Sequence, residues 1–336
     1  MKKTTIKDIA KEAGVSVSTV SFVMNGKGKK MGISEAVILK VQKVVSELGY
    51  KPNVNASSLR TGKTQSIVFL VEDISNPFFS SFARVIEEEA SKYDYRVFYF
   101  STNNNDESTK VLLKRLVQEN ADGFVITPTE NLQDEIDMLL HDKRPVVLID
   151  RFFEGQNVSH VIIDNYDGAF QATKVLIDKG CKKIALVTTL HGMVQMELRK
   201  SGYIDALKQH SVFDPNLILI TDFLEKEEDR VNDIVTLLQK DKEIDGILFL
   251  SNYLGFAGLL AMRKLGLQIP KDVSVICFDD VDSFRIHSPA ISVVAQPIDE
   301  MGKKVVDLLM AQIKTPESYQ VEKLFVKGKY IERESV

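Results

Sequence analysis

Cysteine is scarce. Cys181 and Cys277 are the only two in 336 residues, each set in apolar surroundings. They read as buried core thiols, and two isolated thiols do not make a metal set. The five histidines (His141, His160, His191, His210 and His287) are scattered, none with a partner at metal-ligand spacing. No apolar run approaches the roughly 18 residues of a membrane span. The basic start MKKTTIKDIA has no apolar stretch behind it, so it does not read as a signal peptide. Gly62-Lys63-Thr64 lacks the earlier glycine of a phosphate loop, because that position is Ser57. No G-x-G-x-x-G follows a first strand, and there is no Gly-x-Ser-x-Gly elbow. A nucleoside triphosphate site, a dinucleotide site and a serine hydrolase are therefore excluded. The expectation is a soluble, cytoplasmic chain that is not an enzyme and carries no cofactor or metal.

What is present is an uneven distribution of charge. The chain is 44% hydrophobic and 27% charged, with a net charge of −4. Residues 1–64 hold 12 basic and 4 acidic side chains, a net of +8, and the remainder holds 31 and 43, a net of −12. Such asymmetry suggests a small module for a polyanion joined to a larger acidic body.

The module reads as three helices. Thr5-Ile6-Lys7-Asp8 has the form of a helix start, with Ile6, Ile9 and Ala10 on one face. Gly14 permits a tight turn, and Ser16 is the natural N-cap of a second helix reaching about Asn25. Val15, Val20, Val23 and Met24 form its inward face; Val17, Ser18, Ser21, Phe22 and Asn25 lie opposite. A third helix from near Ser34 is expected to bury Val37, Ile38, Val41, Val44, Val45 and Leu48, with Gly49 ending it. Two short helices around a glycine turn, with a third behind, form a helix-turn-helix whose second helix enters the major groove. That helix is uncharged. Lys2, Lys3, Lys7, Lys27, Lys29, Lys30 and Lys51 supply attraction to phosphate, and the helix supplies short hydroxyl and amide groups for close contact.

The stretch TIKDIAKEAGVSVSTVSFVMNG, followed by LGYKPNVNASSLRTGKT, closely resembles the LacI/GalR family of bacterial transcriptional regulators, and the resemblance runs along nearly the whole chain. It implies DNA contacts from Thr5, Lys7, Ser16, Val17, Ser18, Thr19, Ser21, Phe22, Asn25, Lys29 and Tyr50. It further implies a hinge over residues 52–60, with Asn53, Ala56 and Leu59 contacting DNA and Leu59 wedging into the minor groove. Two departures stand out. Phe22 occupies a position where the family usually has arginine, and phenylalanine cannot read guanine by hydrogen bonding. The Gly- and Lys-rich turn 26–34 is a few residues longer than usual and suits a flexible backbone clamp.

From about residue 64 apolar β-rich runs alternate with amphipathic segments. The runs are SIVFLV, YRVFYF, GFVIT, PVVLID, KIALVT, GILFL and VSVICF; 78–93 and 166–179 are two of the segments between them. This is doubly wound α/β, with too many strands for one sheet, so two Rossmann-like subdomains are expected. The resemblance implies a periplasmic-binding-protein-like core of two lobes with three crossings. The expected division is a helix-turn-helix domain at 1–50, a hinge helix and linker at 51–63, and an effector-binding and dimerisation core at 64–336. Within the core, the N-lobe covers about 64–163 plus 293–325, and the C-lobe about 164–292 plus a C-terminal strand.

Ligands in such sheets sit beyond the carboxyl ends of the strands. By match to the family, Phe79, Asp150, Arg199, Phe223, Asn252, Asp279 and Gln296 are the candidate effector residues. Phe223 is expected to be the stacking platform, and Arg199 lies in an Arg-x-x-Gly-aromatic element. Plain alternatives stand beside these: a core position for Phe79, an internal ion pair for Asp150-Arg151, a turn cap for Asp279-Asp280. Tyr253 follows Asn252 where the family often has aspartate. The resulting expectation is a nucleoid-associated, homodimeric or larger regulator, in the first instance a repressor. It would bind operator DNA and a sugar or sugar phosphate, with a nucleobase second. The competing reading is a small-molecule binding protein with degenerate DNA specificity.

Overall fold

The computed structural model describes residues 4–50, 63–189 and 193–336, which divide into two units, Met1–Thr64 and Gln65–Val336. In the first unit α1 is Ile6–Ala13, α2 is Val17–Met24 and α3 is Glu35–Glu47. Thr5 and Asp8 close a capping box at the start of α1. Gly14 takes φ 63° at its end, a left-handed conformation cheap only for glycine. Ser16 Oγ accepts from Thr19 N–H at 3.0 Å and caps α2. Ile9, Ala13, Val20, Val23, Val41 and Val44 form the core, with Val15 and Met24 packed against it. Leu48 is 42% exposed instead of buried, because α3 ends at Glu47 and the next side chain turns to solvent. The long turn after α2 is also more ordered than expected. Lys29–Met31 form a 3-10 turn, and Gly28 is buried where a Cβ would press on the Ile38 side chain at 3.0 Å.

Among its described residues the second unit has twelve strands: β1 Ser66–Val71, β2 Arg96–Ser101, β3 Gly123–Ile126, β4 Val146–Ile149, β5 Ser159–Ile163, β6 Ile184–Thr189, β7 Ile218–Thr221, β8 Gly246–Phe249, β9 Ser274–Phe278, β10 Ser292–Ala295, β11 Lys323–Val326 and β12 Lys329–Ile331. They form two six-stranded sheets, ordered β11-β5-β4-β3-β1-β2 and β12-β10-β9-β8-β6-β7. All pairings are parallel except β10 with β12. Helices cover both faces, which is why the inner strands are continuous apolar runs. The helices are α4 Pro77–Ser91, α5 Asp106–Gln118, α6 Gln133–His141, α7 Asn165–Asp178, α8 Val194–Gln209, α9 Glu227–Lys240, α10 Asn252–Leu265, α11 Asp282–Ile286 and α12 Ile298–Lys314.

The chain passes between the lobes three times: after β5, between β10 and α12, and between β11 and β12. The second passage falls at residues 296–297, not at 293, because β10 pairs with β9 inside the second sheet. Cys277 is buried and Cys181 half-buried.

One close approach sets the C-lobe. A Cβ on Gly202 would stand 2.3 Å from the Tyr166 carbonyl oxygen and 2.9 Å from the Phe170 nitrogen. The backbones of α7 and α8 thus touch at Gly202, one turn from Arg199. Gly202→Ala should lower stability by about 1–3 kcal/mol, as overpacking against backbone does, and a thermal melt measures it.

His160 is 1% exposed and stacks on Phe152 at 4.7 Å. Burial, with Lys323 adding to it, holds its pKa near 4 in place of 6.5. On acidification the unfolded chain therefore gains its proton first. This contribution to stability is present above pH 6.5 and is lost as pH falls toward 4. The melting temperature should drop across that window, and His160→Phe should flatten the drop.

Candidate functional site

The first unit presents a polar, uncharged helix face. Val17, Ser18 and Asn25 are exposed, whereas Thr19, Ser21 and Phe22 are half-buried. Several hydroxyls already have partners. Ser16 Oγ and Thr19 Oγ1 lie 2.9 Å apart, and Asn25 Nδ2 donates to the Ser21 carbonyl at 2.7 Å. Thr5 is held in its capping box. Lys7 is exposed; Lys29, also exposed, stands 3.8 Å from Glu35. Tyr50 packs on the unit's core, a cluster to which Phe22 does not belong among the described residues. Asn53, Ala56 and Leu59 lie outside the described residues, as does the hinge expected at 52–60.

In the second unit the strand ends converge on a small polar cavity of about 30 Å³. Its wall includes Phe79, Asp150, Arg199, Asp279 and Gln296, five of the seven residues expected there. Asp150 follows β4 in one lobe and Asp279 follows β9 in the other. They adopt φ 64° and 70°, a left-handed conformation that costs a non-glycine residue about 1–2 kcal/mol. The strain is repeated at the matching place in each lobe, and both carboxylates are turned into the seam.

Arg199 is the best-anchored group. Its Nε donates to Asn165 Oδ1 at 2.7 Å and its Nη1 to the Leu250 carbonyl at 2.6 Å. Its guanidinium lies 4.2 Å from the centroid of the Phe278 ring. Burial lowers its pKa, while Asp279 and Asp150 oppose the shift. Asp279 moves up on burial, against the pull of Arg199 and a 2.8 Å hydrogen bond from Gln296 Nε2. Phe79 does double service, lining the cavity and packing in the core at 3% exposure.

The other two expected residues stand elsewhere. Asn252 is buried and spans the lobes, its Nδ2 donating to Asn76 Oδ1 at 2.8 Å. Phe223 sits behind Tyr253, ring centroids 5.8 Å apart, so Tyr253 rather than Phe223 takes the place on the wall. Burial pushes the Tyr253 hydroxyl up to about 12, which keeps it neutral. Arg230 fixes this pair. Its Nη2 reaches the carbonyls of Asp222, Phe223 and Glu225 at 3.3, 3.2 and 3.0 Å, and its guanidinium lies 5.1 Å from the Tyr253 ring centroid.

Glu72, which the sequence did not single out, also lines the cavity. It pairs with Arg151, which further binds Asp150 at 3.3 Å and Asn104 at 2.7 Å. Asp150 is thus in an internal ion pair with Arg151 as well as on the wall. Burial raises the Glu72 pKa and the Arg151 charge opposes it.

About 30 Å³ holds a water, whereas small-ligand sites span roughly 300–1,000 Å³, so the cavity in this arrangement of the lobes is too small for a sugar-sized molecule. A larger cavity of about 670 Å³ shares Phe78, Asp279 and Gln296 with the small one and so borders it. Among the described residues no cluster of His, Cys, Asp or Glu could hold a metal, and no helix is long and apolar enough to cross a membrane.

A helix-turn-helix and a two-lobed core with polar residues at its seam define a class of DNA-binding regulators that answer to small ligands. The profile of bacterial regulatory proteins of the lacI family matches residues 5–53, and that of the periplasmic binding protein-like domain matches residues 173–336. The chain is 33% identical to the HTH-type transcriptional regulator RegA of Clostridium saccharobutylicum, over 99% of each protein. It is also 33% identical to a ribose operon repressor of Halalkalibacterium halodurans, over 95% of this chain and 94% of that one. Among solved structures, a complex of the transcriptional regulator CelR with cellobiose is 27% identical with a TM-score of 0.73, covering 99% of this chain and 100% of that one. This protein belongs to the lacI family of bacterial transcriptional regulators. It is a ligand-regulated DNA-binding protein, not an enzyme.

Arg230→Lys retains the charge but cannot span three carbonyls. Amide exchange over residues 222–226 should quicken, while exchange in β6 and β8 should stay unchanged.

Proposed function

We propose that this protein is a repressor that binds a palindromic operator as a homodimer and is controlled by a sugar held between the lobes of its core. The observation that carries the ligand half is the pair of left-handed aspartates beside Arg199, Asp150 from across the seam and Asp279 from its own lobe. Carboxylates, amides and a guanidinium pair with hydroxyls, and Tyr253 offers an aromatic face to C–H groups. The relatives' names support the ligand class, since they speak of ribose and cellobiose. The DNA half rests on an uncharged helix face beside exposed lysines.

In this reading Ser18, Ser21 and Asn25 contact base edges and phosphates, and Val17 and Phe22 meet thymine methyl groups. Thr5, Lys7, Ser16, Thr19, Lys29 and Tyr50 hold the backbone. Asn53, Ala56 and Leu59 serve the hinge. Asp150, Arg199, Asp279 and Gln296 hold the effector, with Phe79 beneath it and Asn252 and Phe223 supporting. The protein acts in the cytoplasm on nucleoid DNA. Effector shifts operator affinity only by its differential affinity for two arrangements of the core, so a titration gives the sign directly.

Selection from a random DNA pool should return a palindrome, bound more weakly as salt rises. Lys7→Ala should reduce the salt slope by about one phosphate's share. Phe22→Arg should move base preference toward guanine at one position of each half-site. A pool that returns no consensus would overturn the regulator reading.

A further inference from the structure

One guanidinium, Arg199, lines the cleft and a second, Arg151, lies behind the wall on Glu72 and Asp150, and they differ in what they have left to give. Arg151 is fully engaged. Its Nη2 contacts Glu72, its Nε donates to Asp150 at 3.3 Å, and its Nη1 donates to Asn104 Oδ1 at 2.7 Å and to the Pro128 carbonyl at 3.3 Å. Arg199 is 2% exposed and lines the cavity, yet its Nη2 has no hydrogen-bond partner among the described residues. The oxygens Oε1 of Gln195 and Oε1 of Gln296 are equally buried and unpartnered there. The carboxylates of Glu72, Asp150 and Asp279 share the lining with Asn76, Ser251 and Tyr253. The charged groups of the wall are therefore three carboxylates and one guanidinium with an open N–H, and beside them stand two unpartnered amide oxygens and the Ser251 hydroxyl.

Next to this wall the sign is the same. The larger cavity beside it carries Asp280, Asp282, Asp299 and Glu300 against Arg84 and Arg285. Arg285 is spent on Asp280 and Asp282, and Arg84 faces Asp299 at 3.4 Å.

We propose, resting on the reading that this cleft holds the effector, that Glu72 sets the charge class of the ligand by withdrawing Arg151 from it. The cleft then takes an uncharged polyol, whose hydroxyls donate to carboxylates and amide oxygens while one oxygen accepts from Arg199 Nη2. A phosphate monoester offers mainly acceptors and negative charge, and it meets acceptors and negative charge. Sugar phosphates are excluded even where the parent sugar binds. Glu72 is a specificity-determining residue that acts through Arg151.

The test compares the full chain with Glu72→Gln at constant ionic strength. Thermal stabilisation and calorimetric affinity are measured with ribose, ribose 5-phosphate, cellobiose and inorganic phosphate. The natural protein should gain nothing from phosphate or ribose 5-phosphate beyond matched chloride. Glu72→Gln releases the Arg151 charge, and inorganic phosphate should bind it on the order of tenfold more tightly than the natural protein. The lysines of the first unit are common to both chains and cancel. Stabilisation of the natural protein by phosphate or ribose 5-phosphate equal to that by a neutral sugar overturns the proposal. So does a cooperatively melting Glu72→Gln with no gain for phosphate. If that variant does not melt cooperatively, the comparison within the natural protein decides alone. Operator binding in the same preparation keeps the two readings apart: its absence would sink the regulator function and leave the charge comparison standing.

Discussion

Five charged side chains leave water at the seam of the core, and the second unit is arranged to make that tolerable. Glu72, Asp150, Arg151, Arg199 and Asp279 are all under 9% exposed. A buried ion is costly unless it is paired and hydrogen-bonded, so each must find partners across elements far apart in sequence. Arg199 finds them in Asn165 at the start of α7, in the carbonyl that follows β8, and in the ring that ends β9. Gly202 lets α8 lie close enough to α7 for the first of these contacts. The packing of the C-lobe and the chemistry of its cleft are therefore one constraint, met by an arginine and a glycine three residues apart.

The same economy governs the first unit. Ser16 and Thr19 satisfy each other and the start of α2, which leaves Ser18 and Asn25 facing outward. A charged side chain on that face would add attraction that the lysines nearby already provide. Short side chains add fit instead, which is what reading base edges demands.

Much of this was legible in the sequence because it is periodic. Alternating apolar runs and amphipathic segments imply two parallel sheets, and Thr5, Gly14 and Ser16 mark helix ends by their own chemistry. What was harder to read depends on long-range pairing. The strands β7, β11 and β12 have mixed burial, and β11 and β12 lack a clean apolar run. The passage at residues 296–297 follows from β10 choosing β9 as a neighbour, which local pattern does not encode. Glu72 looks like a solvated residue after a strand until Arg151 is brought to it from 79 positions away. Phe223 and Tyr253 are both aromatic, and which one meets the cavity depends on contacts far apart in sequence, the edge-to-face packing of the two rings and Arg230 over Tyr253 among them.

Asn76 joins two tasks that are separable in energy. Its Oδ1 accepts from Phe78 N–H at the start of α4 and also from Asn252 across the seam. When the lobes part, the first of these bonds survives, so the helix keeps its cap and no backbone group is stranded. What is lost is one amide–amide bond, about 0.5–1.5 kcal/mol, and water replaces it. This fastening therefore acts as a low threshold rather than a lock. Gln195, whose Nε2 stands 3.5 Å from Asp150 Oδ2, is a second side-chain link across the same seam, so Asn76 carries only part of what holds the lobes together.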